Sequence, residues 1–480
     1  MSVKAIGFLF NNEVTTVISS KKMRTLCLTT AVSALMALGS GQALSQDNKV
    51  TTLRDALVVG VATNPEYGVV AASRRATDEE LTQGEALFLP SIDVNGDIGF
   101  EHSDDPGTRA GTGDDTENLF RKEIGITLTQ MLFDGFEAHY EVQRQQARVM
   151  SSAQRVRETA ELVGLSIVES YLEVLRQRQL LLISRENVSS HLNILDQIQD
   201  GVNAGRSTRA DGEQAKARLA ASRATESSTR QALRNAEAQY RAEVGDPAGD
   251  LDMPVIPYET LAPDVDQEIM VALAHSPTLD IFTADIEVAY AEAQGTKSTQ
   301  YPQLDLQLNA RTGHDLGGTE GRDTSASALV VLNWNLYRGG ADVARGREFV
   351  HRHQQSKESR AEAARAIEND VRQTWASMVS AGERASQFAA QADANTEVVK
   401  AYKDQFNLDR RTLLDVLDSQ NELFVSRSNT VNSEFLEIFA VYRLMALKGR
   451  LLPILGVEYP RESVIASDDT WSYKEQQKAR

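Results

Sequence analysis

Cysteine is nearly missing from this chain. Of 480 residues one is cysteine, Cys27, and it lies in an N-terminal stretch that reads as an export signal. The exported chain therefore has no disulfide framework. Proline and aromatic residues are also scarce, at 11 prolines and 6% Phe, Trp and Tyr, which points away from a compact enzyme core and toward long helices packed on alanine. There is no basic excess: 50 Lys and Arg against 68 Asp and Glu give a formal charge of −18. A phosphate backbone needs a basic face, so nucleic acid is excluded as a partner. After residue 45 no run is apolar enough for a membrane-spanning helix. Catalytic signatures are missing too. The 7 histidines are scattered, and His351 and His353 diverge at i, i+2 on a helix. No His-Glu-x-x-His, phosphate loop or nucleophile elbow occurs. The expectation is no catalytic site, no metal and no cofactor.

Lys21, Lys22 and Arg24 precede an apolar run from Leu26 to Leu38, and Ala43-Leu44-Ser45 offers small residues for cleavage. Met23 is an alternative start that gives a signal of ordinary size. Residues 1–45 hold four basic residues and one acidic one, so the mature charge is −18 − 3 = −21.

The mature sequence is an internal duplication. Pro65 and Pro277, Pro90 and Pro302, and Asp93 and Asp305 are each 212 apart; Leu128 and Leu332, Gly135 and Gly339, Asp211 and Asp415, and Gly245 and Gly449 are each 204 apart. One offset held over more than a hundred residues is a repeat. The eight-residue difference (212 − 204) falls around Asp104-Asp105-Pro106-Gly107, a loop. With Asp114-Asp115 this loop reads as solvated acid rather than a calcium site.

Each copy has the same parts. A helix over about 66–88, or 278–300, ends at Pro90 or Pro302. A strand follows, with Ile92, Val94, Ile98 and Phe100 on one face and Asp93, Asn95, Asp97 and Glu101 on the other; Leu304, Leu306 and Leu308 repeat the pattern. A return strand carries Ile124, Ile126, Leu128 and Leu132, or Ala328, Val330, Leu332, Trp334 and Leu336. Trp334 and Tyr337 read equally as core or as membrane-interface aromatics. Four strands of roughly 9–11 residues are long enough to cross a bilayer when tilted, but four cannot close a barrel, for which about eight is the smallest number. If they span a membrane, several chains must pool them.

Gly135 and Gly339-Gly340 then switch strand to helix. From about 136 to 202 there is no proline, and Val156, Ala160, Val163, Ile167, Val174, Leu181, Val188, Leu192, Leu195 and Val202 form a heptad seam. A turn at Asn203-Ala204-Gly205-Arg206 leads into a returning helix that stops at Gly245. The second copy repeats this over about 341–406 and 412–449. A short helix near 264–274 follows the proline-rich stretch 247–263. The expected organisation is a signal over 1–45, a first repeat over 46–246, a linker over 247–263, a second repeat over 264–456 and a polar tail over 457–480.

The second turn reads Phe406-Asn407-Leu408-Asp409-Arg410-Arg411-Thr412-Leu413-Leu414-Asp415-Val416-Leu417-Asp418. Thr412 is placed to cap a helix with Asp415 at N3. Asp415 and Asp418, three apart, leave that helix on one side. Read alone, this is a capped helix with acidic first-turn residues, which the helix dipole favours.

Taken together, signal, helix, strand pair and long helical hairpin, repeated once and joined to Arg411-Thr412-x-x-Asp415-Val416-Leu417-Asp418, resemble the TolC family of outer-membrane efflux and secretion channels. The resemblance covers nearly all of the mature chain. It implies a mainly α fold with a β part. Three protomers would form a twelve-stranded barrel in the outer membrane of a Gram-negative cell, above a periplasmic α-helical tunnel. It further implies Asp415 and Asp418 as carboxylate rings at the constriction, and Arg411 paired with Asp211 of a neighbouring hairpin as a latch. Phe406 stands where the family has an aromatic hydroxyl, so that hydrogen bond to the latch is missing. Gly205, Arg206, Asp409 and Arg410 are implied as tips that meet a periplasmic adaptor serving an inner-membrane ABC or RND-type pump. Family tips are less charged than these. Two classes remain open at this point: an export duct for proteins or drugs, and a periplasmic coiled-coil scaffold or adhesin-like fibre without a pore.

Overall fold

A computed structural model describes residues 51–104, 106–109, 116–408 and 410–464. The expected signal over 1–45, the acidic loop residues Asp105, Asp114 and Asp115, the tip residue Asp409 and the tail beyond residue 464 lie outside the described residues.

In chain order the elements are α1 (Leu53–Thr63), α2 (Pro65–Ala86), β1 (Ser91–Ser103), α3 (Pro106–Arg109), β2 (Glu117–Phe133), α4 (Glu137–Asn203), α5 (Arg209–Val244), α6 (Val265–His275), α7 (Pro277–Gly295), β3 (Gln303–Leu316), β4 (Thr319–Asn333), α8 (Ala341–Asn407), α9 (Leu413–Leu447) and α10 (Leu451–Ile454). The duplication is visible in the element ends. Helices α4 and α8 have 67 residues each and both ends are 204 apart (341 − 137, 407 − 203). Helices α1 and α6 have both ends 212 apart (265 − 53, 275 − 63). The sequence reading found α6 but not its counterpart α1. At 1.5 Å per residue each 67-residue helix is a rod of about 100 Å.

Caps set the helix starts. Thr52–Asp55, Thr208–Asp211 and Thr412–Asp415 are reciprocal capping boxes, and Pro65 and Pro277 take the first helical turn behind Asn64 and Ser276. The strand-to-helix switch needs two consecutive left-handed residues. The second copy uses Gly339 and Gly340 (φ 64° and 84°); the first uses Gly135 and Phe136 (φ 72° and 70°). A Cβ on Gly135 would sit 2.7 Å from the Ser298 carbonyl oxygen, so this position excludes a side chain as well as favouring glycine.

The four strands form one antiparallel sheet in the order β1-β2-β3-β4. Ile92, Val94, Ile98, Phe100, Ile124, Ile126, Val330 and Leu332 all stand exposed on one face, Phe100 at 90%. Trp334 and Leu336, expected on the return strand, lie beyond β4. The ladder ends where Gln303 pairs with Asn333, because β3 supplies no partner further on. There the Trp334 indole N–H donates instead to the Gln300 carbonyl at 3.3 Å, and Tyr337 is exposed.

The opposite face carries charge. Arg121 donates to Asp97 at 2.6 Å, pairs with Glu123 and lies 3.5 Å from Glu101. Arg311 bridges Glu123 at 3.4 Å and Asp323 at 3.5 Å. Gly99 faces Arg121 and Gly125 faces Arg311 across the ladders, leaving each guanidinium room to lean along the sheet. The network crosses all four strands.

The main core gathers α1, α4, α5, α6 and α9 around Tyr171, Tyr240 and Tyr442, all fully buried. The heptad seam holds from Val156 to Leu181. Below that the buried stripe runs through Ser184, Asn187, His191, Ile194, Ile198 and Gly201, with Val188, Leu195 and Val202 half-buried at its edge and Leu192 exposed. A helix with neighbours on two sides buries two adjoining stripes. Three of the residues here are polar, so an apolar period did not reveal them.

Glu161, 2% exposed, closes the strand-side end of this core against the C-terminal segment. Its carboxylate accepts from the Leu451 N–H at 2.8 Å and the Tyr459 hydroxyl at 2.6 Å. Burial pushes its pKa up to about 7, against the opposing pull of those donors and of Arg157. An acid whose folded pKa is raised binds a proton that the unfolded chain has released. Stability should therefore fall as pH rises from about 4.5 to 7. Glu161→Gln is expected to flatten that fall, read as melting temperature against pH; an unchanged slope would remove Glu161 as its source.

Candidate functional site at the hairpin tips

Both hairpins turn in the same way. The Arg206 N–H donates to the Gly201 carbonyl at 2.8 Å, and the Arg410 N–H, 204 residues on, donates to the Gln405 carbonyl at 2.9 Å. Gly205 takes φ 72° with open space around it, and Arg206 and Arg410 are exposed. Beneath the turns Ile194, Ile198, Ala215, Leu413, Val416 and Leu417 form a small core of their own, with Tyr402 and Phe406 packed against it. Phe406 is thus part of the tip's apolar support.

Asp415 is the N3 residue of α9. Its Oδ2 accepts from the Thr412 hydroxyl at 2.8 Å and from the Thr412 N–H at 3.2 Å. The Thr412 hydroxyl, then the Thr412 N–H, then Arg411 hold this carboxyl below the usual carboxylate range. Asp418, one turn on, receives the Arg218 guanidinium of α5 at 3.1 Å. Arg218 gave no signal in the sequence, since 200 residues separate the two.

Arg411 is held by three groups of its own repeat. Its Nε donates to the Gln405 side chain at 3.2 Å, its Nη1 lies 3.9 Å from Asp415, and the guanidinium sits 4.0 Å over the Tyr402 ring. Tyr402 is one helical turn before Phe406, a spacing that would have located it. Within one chain Arg411 is ion-paired with Asp415. Asp211 is engaged instead by Thr208, at 2.7 Å from its hydroxyl, the first-copy version of the Thr412–Asp415 cap. Asp211, Asp415, Asp418 and Arg411 are thus all on the first two turns of α5 and α9 or just before them, at one end of the rods. Among the described residues no His, Cys, Asp and Glu group is arranged to hold a metal ion.

The sequence matches the family described as outer membrane efflux protein over residues 61–246 and 269–450. The chain belongs to that family. It is 26% identical over 456 residues to the outer membrane efflux protein BepC of Brucella suis, covering 92% of this chain and 95% of that one. It is 23% identical to the alkaline protease secretion protein AprF of Pseudomonas aeruginosa, over 85% of this chain and 86% of that one. In fold it is similar to the CmeC outer membrane channel of Campylobacter jejuni, with a TM-score of 0.73 at 12% identity over 90% of this chain and 89% of that one. An efflux-family member with this architecture is an outer-membrane export duct that extends into the periplasm, and the exposed apolar face of its sheet is the part suited to lipid. No helix of the described residues is long and apolar enough to cross a membrane.

Proposed function

We propose that three copies of this chain close into the exit duct of a tripartite export system. In this reading the duct is passive and works with a periplasmic adaptor and an inner-membrane ABC or RND-type pump. Its cargo class is that of type I protein secretion, multidrug efflux or both, since relatives named for efflux and for protease secretion lie at similar distances.

The observation that carries the reading is a missing neighbour in two layers at once. In the sheet β1 and β4 are the unpaired edges. In the helical layer α4 is flanked by α2 of its own repeat and α7 of the next. Helix α8, the counterpart of α4, touches α7 of its own repeat, and its outer part from Ala341 to Ala366 has no fully buried residue. What α8 lacks is another α2, and what β4 lacks is another β1. Head-to-tail surfaces of this kind close into a ring when the rotation from copy to copy closes. Twelve strands from three copies fit the family's barrel, with the Arg121–Arg311 network toward the lumen and the apolar face toward lipid. The first and second repeats then alternate as equivalent staves around the wall.

The repeat supplies a test. Ser151 of α4 donates to Asp285 of α7 at 2.7 Å. The corresponding residues at the open seam are Gln355 (151 + 204) and Ser73 (285 − 212), both exposed in the single chain. A Ser73→Cys, Gln355→Cys variant is expected to give disulfide-linked dimers and trimers on a non-reducing gel, with nothing larger. A variant that stays monomeric under oxidant, or runs to higher polymers, would sink the closed ring.

At the tips Arg411 and Asp211 form the latch between neighbouring hairpins in this reading, with Tyr402 supplying the aromatic face and Phe406 the apolar support. Gly205, Arg206, Asp409 and Arg410 meet the adaptor. Arg411→Ser is expected to raise single-channel conductance severalfold in planar bilayers by freeing the mouth. A wild-type current would remove Arg411 from the gate.

A further inference from the structure

Midway between the tips and the main core, α4, α8 and α9 line an open-sided cavity of about 330 Å³. Ile183, Val399 and Leu423 are its buried apolar lining. Asn187 and Gln420, 8% and 5% exposed, reach it from facing helices, and their side-chain oxygens Oδ1 and Oε1 have no hydrogen-bond partner among the described residues. Buried amides left in this state are uncommon, because each forgoes the hydrogen bond that water would give it.

Four charged residues complete the wall. Arg427 is engaged by Glu186 at 2.6 Å, which leaves Lys400 and Lys403 as cations without an ion pair among the described residues. The local sum is three positive charges against one negative, within a chain of formal charge −18. Burial lowers the Lys403 pKa, so the ammonium is held where its solvation is poor. One turn beyond Asn187, His191 is 5% exposed; burial, then Arg218 and Lys403, lower its pKa and favour the neutral imidazole.

We propose that this cavity binds a small hydroxylated anion of the polyol phosphate class. Lys400 and Lys403 take the acidic group, and the Asn187 and Gln420 amides take its hydroxyls. A hydroxyl both donates and accepts, so it satisfies an amide in either orientation. Neither a bare anion nor a neutral polyol answers both halves of the lining. A cationic ligand is opposed by the two lysines.

The test uses the full-length protein in detergent, titrated calorimetrically with glycerol 3-phosphate, inorganic phosphate and glycerol. Glycerol 3-phosphate is expected to bind more tightly than phosphate, and glycerol not detectably. Lys403→Met is expected to weaken both anions by about tenfold, the scale of one charge-assisted hydrogen bond. Asn187→Leu is expected to weaken glycerol 3-phosphate severalfold and leave phosphate within about twofold. Lys400→Met, at an exposed position, keeps the experiment interpretable if Asn187→Leu fails to fold, and is expected to weaken both anions as well. No binding of glycerol 3-phosphate to the wild-type protein would overturn the proposal, as it would if a second copy fills the cavity. Equal affinities in wild type, Lys403→Met and Lys400→Met would overturn it too.

Discussion

Lys448→Met is expected to be the most destabilising single substitution on a polar residue of the hairpins, at about 3–5 kcal/mol, because it strands a buried carboxylate. Lys448 and Glu268 are 3% and 0% exposed and their charged atoms are 2.8 Å apart. Each partner makes one further hydrogen bond: the Ala262 N–H donates to Glu268 Oε2 at 2.9 Å, and the Lys448 ammonium donates to the Thr260 carbonyl at 3.1 Å. The pair thereby ties the inter-repeat segment and α6 to the end of α9. Removing the cation alone leaves the anion in a place water cannot reach. Removing both charges is a different experiment, and the duplication has already performed it. The first-repeat positions are Val244 (448 − 204) and Ala56 (268 − 212), 2% and 1% exposed. Glu268→Leu with Lys448→Met should therefore recover most of the loss. The measurement is thermal or denaturant unfolding of the detergent-solubilised protein. If the double variant is as unstable as Lys448→Met alone, the pair is needed for more than mutual neutralisation.

That ion pair also shows where reading the sequence stops. Helix ends, the repeat and the sheet alternation were legible because they are local: capping residues, glycines and period-two patterns lie within a few positions of what they control. Helix α1 was equally legible, since Thr52–Asp55 is the same capping box as Thr208–Asp211, and the 212 offset from α6 points to it. Lys448–Glu268, Arg218–Asp418 and Arg427–Glu186 were not legible, because their partners are 180 to 241 residues apart and charged residues on a helix read as solvated. The polar stretch of the α4 seam was hidden for a related reason. Asn187 and His191 are buried by a third helix, which one helix's own periodicity does not report. At the tip, the two acids were legible from their spacing, while Arg218, which pairs with Asp418, and Tyr402, which lies under Arg411, were not.

Those two acids carry the largest expected effect on conduction. In the three-copy reading, Asp415→Ala with Asp418→Ala removes six carboxylates from one narrow mouth, and block by multivalent cations in planar bilayers should weaken at least about tenfold. The structure makes the two unequal. Asp415 is held below the usual carboxylate range by the Thr412 cap and by Arg411, so it stays ionised as pH falls toward that range. The sign follows directly: a depressed carboxyl keeps its charge, and with it the block, until pH drops through the lowered value. Asp418 has the Arg218 guanidinium at 3.1 Å, which offsets its charge while the α5–α9 contact holds. Asp415→Ala alone is therefore expected to account for most of the double variant's effect, and the block that survives in Asp418→Ala should persist to lower pH than an ordinary carboxylate allows. Asp415→Ala also removes the N3 half of the α9 capping box. Asp415→Asn keeps the side-chain oxygen that accepts from Thr412 while deleting the charge, and so separates field from fold. Block that is unchanged in Asp415→Asn would take this residue out of the constriction.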